Sequence, residues 1–171
     1  MSLRIFIFLL ISLITVSGMP ADLLKGSESG RLIPDGSAVD RDELISFAKK
    51  YLGTPYHSGG SSPKRGFDCS GFVNFVFGNF QIRLPRSSRD FKDIGTDLKP
   101  EEFKEGDVIV FKSFKNKARI GHVGIICEAN GMQSKFIHSS SGQKMGVVVS
   151  NLGSPNYAKR FYRCVDVLGS K

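Results

Sequence analysis

Three side chains in this sequence can share one piece of nucleophilic chemistry. Cys69 lies in "RGFDCSGFV", His122 in "IGHVGII" and His138 in "FIHSSS". A thiol becomes a nucleophile when a base takes its proton, and the base works best when a further polar group orients it. Asp68, just before the cysteine, is a good helix cap. Cys69 would then sit at the start of a helix, where unpaired N–H groups and the positive dipole end favour a thiolate. The two histidines occupy ends of successive apolar strands, which an antiparallel pairing brings to one end of a sheet. Taken one at a time, each residue also reads as ordinary structure: a buried small thiol, or a satisfied core histidine.

The cysteine count sharpens the question. The chain opens with "MSLRIFIFLLISLITVSGMP", a weakly basic start followed by an apolar run from Ile5 to Val16. That run is short for a bilayer span, so residues 1–18 read as an export signal cleaved after Gly18, with a retained anchor as the alternative. No cysteine lies near the cut, which argues against a lipoprotein. Exported proteins tend to pair their cysteines, yet this chain has three, Cys69, Cys127 and Cys164. Cys127 and Cys164 can form a disulfide if their strands are neighbours, or can both be buried thiols. Cys69 is the one best suited to staying reduced.

Several elements must hold these residues in place. Residues 19–39 are rich in Gly, Ser, Pro and Asp and read as a linker. The remaining 40–171 suffice for one domain with a real core. Asp40 caps a first helix, with Glu43 three residues on and Leu44, Phe47, Ala48 and Tyr51 on one face before Gly53. "GTPYHSGGSSPKRG" is a loop, and a second helix runs from Asp68 to about Gly78. A turn of helix follows "LPRSS", near 87–93. The second half holds "GDVIVF", "GHVGIIC", "KFIHSSS", "GVVVSNL" and "RFYRCVDVL", five closely spaced β-rich runs that imply an antiparallel sheet of about five strands. Helices first and strands second make an α+β domain.

The formal charge is +8, or +7 once Arg4 leaves with the signal (23 Lys and Arg against 16 Asp and Glu). In an exported protein a carboxylate-rich wall is a better partner for that charge than nucleic acid, for which no motif is present. Lys112, Lys115, Lys117 and Arg119, in "FKSFKNKARIG", form a basic loop just before His122. It reads either as a rim for substrate carboxylates or as a solvated hairpin.

The ordered run "GTPYHSGG…FDCSGFV…LPRSS…EGDVIVF…GHVGII…FIHSSS…GVVVSNL" resembles the NlpC family of cell-wall cysteine peptidases, from about residue 40 to the end. The resemblance implies a papain-like core, helices packed on the antiparallel sheet, and hydrolysis of peptidoglycan stem peptides, commonly between γ-D-glutamate and a diamino acid. By matching position it implies Cys69 as nucleophile, His122 as base and His138 as the residue orienting it. It also implies Tyr56, Asp68 and Ser70 as contacts to the substrate's N-terminal side, and a supporting arginine at Arg86, read here as a structural ion pair. Ser58 stands where relatives often carry tryptophan, beside His57, a loop residue able to touch substrate. No cofactor or metal is expected; a zinc site of Cys69, His122 and His138 lacks clustered ligand spacing. Peptidoglycan stem peptides or muropeptides are the expected partners, with no nucleic acid and no membrane span after export to the periplasm or beyond. A same-fold amidase or acyltransferase, or a non-catalytic wall-binding protein, are the rival readings.

Overall fold

A computed structural model describes residues 39–169. The signal assigned to 1–18 lies outside them, as does all of the linker except Val39. Among the described residues no helix is long and apolar enough to cross a membrane.

Helix α1 (Arg41–Lys49) begins as its sequence demands. The Asp40 carboxylate accepts from the N–H groups of Asp42 and Glu43, satisfying two of the donors a helix start leaves unpaired. Its apolar face buries Leu44, Ile45 and Ala48. The Gly/Ser-rich segment that follows contains a small ribbon, β1 (Ser61–Ser62) paired with β2 (Gly66–Phe67). Helix α2 (Cys69–Asn79) comes next, and a 3₁₀ turn over Ser88–Asp93 stands where the sequence placed one.

Six strands form the main sheet: β3 (Thr96–Leu98), β4 (Val108–Lys112), β5 (Ile120–Glu128), β6 (Lys135–Ser140), β7 (Gly146–Asn151) and β8 (Phe161–Asp166). Their order is β3-β8-β4-β5-β6-β7, antiparallel throughout. A short helix α3 (Pro155–Ala158) links β7 to β8. The five β-rich runs are all strands; the sixth, β3, adds an edge of three largely exposed residues.

Both faces of the sheet are covered, which is why its central strands read as nearly continuous apolar runs. Val108, Val110, Val123, Ile125 and Ile137 face α1 and α2. Ile109, Phe111, Ile126, Phe136 and Cys164 face the opposite way, against Phe103, Leu152 and Tyr157. That alternation decides the disulfide question. Cys127 on β5 joins the helix-side core and Cys164 on β8 the other, with β4 between their strands. They cannot bridge without tearing the sheet, and all three cysteines are free.

Gly71 has a packing task at the start of α2. A Cβ there would strike the carbonyl oxygen of Gly60, so the missing side chain lets α2 lie directly against the loop before it. Asp68 N–H donates to that same Gly60 carbonyl at 3.0 Å.

Candidate active site

Asp68 organises the start of α2. Its carboxylate accepts from the N–H of Gly71 at 2.6 Å and of Gly59 at 3.0 Å, so one side chain caps the helix and ties the preceding loop to it. Arg86 grips both carboxylate oxygens, at 3.0 and 2.7 Å, and donates to Ser70 Oγ at 3.1 Å. Arg86 is thus the structural ion pair expected of it. Ser70 is buried, with its hydroxyl inside this network. Burial raises the Tyr56 phenol above its ordinary value, and the nearby Cys69 and Asp68 add to the shift. His57 and Ser58 are exposed.

Capping leaves the N–H groups of Cys69 and Ser70 for other partners. They point at the sulfur of Cys69, together with the N–H of Val123, the residue after His122 on β5. Helix start and strand therefore meet at the thiol. Burial is the largest influence and pushes the thiol up, Asp68 adds to it, and the three N–H groups pull the other way without prevailing. The helix dipole alone would predict a thiolate; desolvation outweighs it here.

His122 projects from β5 and His138 from β6. Between them Gly124 carries no side chain; a Cβ there would come within 2.7 Å of the Phe136 ring and 3.1 Å of His138 Cβ. That gap lets His122 Nε2 reach His138 Nδ1 at 2.8 Å, with the rings edge to face at 88°. His138 Nε2 in turn meets Ser150 Oγ at 3.0 Å and the Tyr157 hydroxyl at 3.3 Å. Burial, the His138 charge and Arg160 hold His122 well below the usual histidine range. Burial and Arg160 pull His138 down to about 3.

These contacts admit two arrangements of the protons. Two neutral imidazoles 2.8 Å apart share one hydrogen, and where His138 Nε2–H donates to Ser150, His138 Nδ1 is the acceptor. His122 Nε2 then carries the hydrogen, and its Nδ1 keeps a free lone pair. A proton on His138 Nδ1 would reverse the pair and cost His122 that lone pair. Burial thus favours the neutral form of the thiol and of both imidazoles.

The sequence placed Cys69, His122 and His138 together; in the fold His122 meets His138 directly, and Val123, the residue after His122, meets Cys69 through its N–H. It missed Ser150, Tyr157 and Arg160. Ser150 reaches His138 through the β6–β7 register, which pairs His138 with Val148 and Phe136 with Ser150. Tyr157 comes from α3. Arg160 is held by its Nε donating to the Lys112 carbonyl at 3.0 Å, and its guanidinium lies 6.0 Å from the Tyr157 ring. No local motif announces any of the three.

Two results follow. Alkylation of Cys69 by iodoacetamide should show an apparent pKa above the ordinary cysteine value of about 8.5, with slow labelling at pH 7; an inflection at or below 7 would contradict the neutral pair. Acid should also destabilise the fold. An unfolded histidine gains its proton near 6.5, while native His138 stays neutral to about 3. Stability is therefore full above 6.5 and falls as pH drops toward 3, by up to about 1.4 kcal/mol per pH unit for this group. In urea melts between pH 7 and 4, His138→Gln should show a visibly shallower loss than wild type.

Comparison with known proteins follows the same lines. A model described as the NlpC/P60 family matches residues 53–166. The chain is 37% identical over 114 residues to "Gamma-DL-glutamyl hydrolase" of Bacillus subtilis (strain 168), covering 67% of this chain and 26% of that protein. It is 38% identical over 115 residues to a Haemophilus influenzae protein named "Probable endopeptidase", covering 67% of this chain and 66% of the relative. The chain thus spans about a quarter and about two thirds of these relatives. A crystal structure of an NlpC/P60 family protein from Bacillus cereus ATCC 10987 superimposes with a TM-score of 0.67 and 29% identity, over 77% of this chain and 41% of that one.

Proposed function

The chain belongs to the NlpC/P60 family, and on that premise we propose that it is an exported cysteine endopeptidase of peptidoglycan stem peptides, acting at the γ-D-glutamyl–diamino acid bond. The observation that carries this reading is the hydrogen-bonded line from Ser150 through His138 to His122, whose chain neighbour Val123 brings its N–H to the thiol at the head of α2. The glutamyl hydrolase named among the relatives supports the choice of bond.

In this reading His122 Nδ1 takes the proton of Cys69 as the sulfur attacks the amide carbon. The N–H groups of Cys69 and Ser70 hold the oxyanion, and do so without reorganising. His122 returns the proton to the departing amine, whose C–N bond breaks to leave a thioester. Water, deprotonated by His122, then hydrolyses it and frees the thiol. Tyr56 lines the cleft, and Asp68 and Ser70 receive the N-terminal side of the stem peptide. Because Arg86 already holds Asp68, an incoming ammonium shares that carboxylate with it.

Incubation of the purified chain with defined muropeptides, read by mass spectrometry, tests this. Release of an intact fragment beginning with the diamino acid supports the reading. Cleavage between muramic acid and alanine would make the protein an amidase, and transfer to an added amine would make it an acyltransferase.

A further inference from the structure

A concave site lies apart from the thiol. A cavity of about 320 Å³ opens between the 3₁₀ turn over Ser88–Asp93 and the β4–β5 hairpin. Arg89, Lys92, Lys112, Lys117 and Arg119 line it, against the single acid Asp90. The turn supplies two of these cations and the hairpin three, so residues 20 or more apart in sequence converge on one space. Lys92 contacts Asp93 at 3.5 Å; the other four have no ion-pair partner among the described residues. Like charges gathered in a concavity repel one another and focus a positive field there. Folding gains nothing from the cluster, and an anionic ligand relieves it.

The position says which anion. Ile120 forms part of the cavity wall, and His122 is two residues further along β5, about 7 Å at the strand rise. Lys112, at the cavity, exchanges backbone and side-chain hydrogen bonds with Arg160, whose charge is felt at Cys69 and both histidines. A ligand filling the cavity thus lies within one or two residues of a bond held at the thiol. Its volume, at the small end for a ligand site, suits about that length of chain rather than a folded partner. The half-exposed Tyr162 ring gives the space one apolar wall.

We infer that this cavity is a subsite for a peptide segment carrying two or more free carboxylates, covalently continuous with the bond cleaved at Cys69. The inference rests on the hydrolytic reading and extends it: this chain selects wall peptides by how many of their carboxylates are left free. Lys115, although in the same basic loop, does not line the cavity and is outside the subsite.

The test compares the full chain, K117E/R119E and the control K115E. Cleavage of a muropeptide with free carboxylates is measured beside its carboxamide form, at 20 and 200 mM salt. Wild type should prefer the free carboxylates by about tenfold or more at low salt, and K115E should keep most of that preference. K117E/R119E should lose or reverse it. Equal preference in all three proteins, or equal loss in K115E and the double variant, overturns the subsite.

Binding supplies a readout independent of cleavage. A labelled tri-glutamate peptide should bind Cys69→Ala at least about tenfold more tightly than it binds Cys69→Ala carrying K117E/R119E. A phosphate polymer of equal charge should bind both less tightly than the peptide binds the first. If wild type cleaves no muropeptide but binding divides in this way, the hydrolytic reading fails and the carboxylate site stands. If the phosphate polymer binds as well and responds equally, the site is not one for carboxylates.

Discussion

Cys69→Ala should lower turnover of stem peptides by at least about 10³-fold while leaving the fold intact. The helix start does not depend on the sulfur: Asp68 still caps Gly71, still holds Gly59, and is still gripped by Arg86. The melting temperature should therefore stay close to that of wild type. His122→Ala should fall by a comparable factor, and the double variant should be little worse than either alone, because a nucleophile and its base act as one unit. Residual activity of Cys69→Ala within tenfold of wild type, or losses that multiply in the double variant, would mean that the reaction does not run through this pair.

Arg41→Ala should produce the largest loss of stability among substitutions far from the thiol. Arg41 heads α1 and reaches the start of β4 and the end of β8. Its guanidinium donates to the Glu105 carbonyl at 2.6 Å, to Asp107 at 2.7 Å and to Asp166 at 3.0 Å. Asp107 is fully buried, and burial pushes its carboxyl above the ordinary value despite the hydrogen bonds from Lys104 N–H and Arg41. Removing Arg41 leaves that carboxylate inside the protein with its main counter-charge gone, at a cost of about 3–5 kcal/mol. The penalty should be smaller at pH 5 than at pH 8, because a raised carboxyl that loses its cation takes up a proton more readily as pH falls. Asp107→Asn added to Arg41→Ala should recover part of the loss. Urea melts at the two pH values check both points; a loss below about 1 kcal/mol at pH 8 would show that α1 is held by its apolar face alone.

Local chemistry made much of this legible before any coordinates. Asp40 and Asp68 announced both helix starts because capping is decided within three residues. The central strands stood out because a sheet covered on both faces needs long apolar runs such as "VIVF" and "GIIC". Strand β3 did not stand out: three mostly exposed residues pair with β8 through their backbone, and composition carries no trace of that. The ribbon of Ser61–Ser62 with Gly66–Phe67 was hidden for the same reason.

The site divides along similar lines. Cysteine and histidine are rare enough in this chain to be noticed singly, so Cys69, His122 and His138 could be singled out from the sequence, and His122 does meet His138. Ser150 and Tyr157 are common residue types whose importance comes from strand register and from where α3 turns. The separation of Cys127 from Cys164 is also a matter of register and strand order, as is the space that Gly124 clears between the histidines. The cationic cavity was half visible. The hairpin contributes a run of basic residues, but Arg89 and Lys92 join it only through the fold, and Lys115 drops out of it.

The most direct test of the account is to trap the acyl-enzyme. The purified chain is mixed with excess stem peptide, quenched in acid within milliseconds, and measured as intact protein and then as tryptic fragments. The expected result is a mass gain equal to the acyl half of the substrate, on the fragment containing Cys69 and on no other. Turnover of the peptide with no mass gain at Cys69, or with the gain on a different residue, would contradict it.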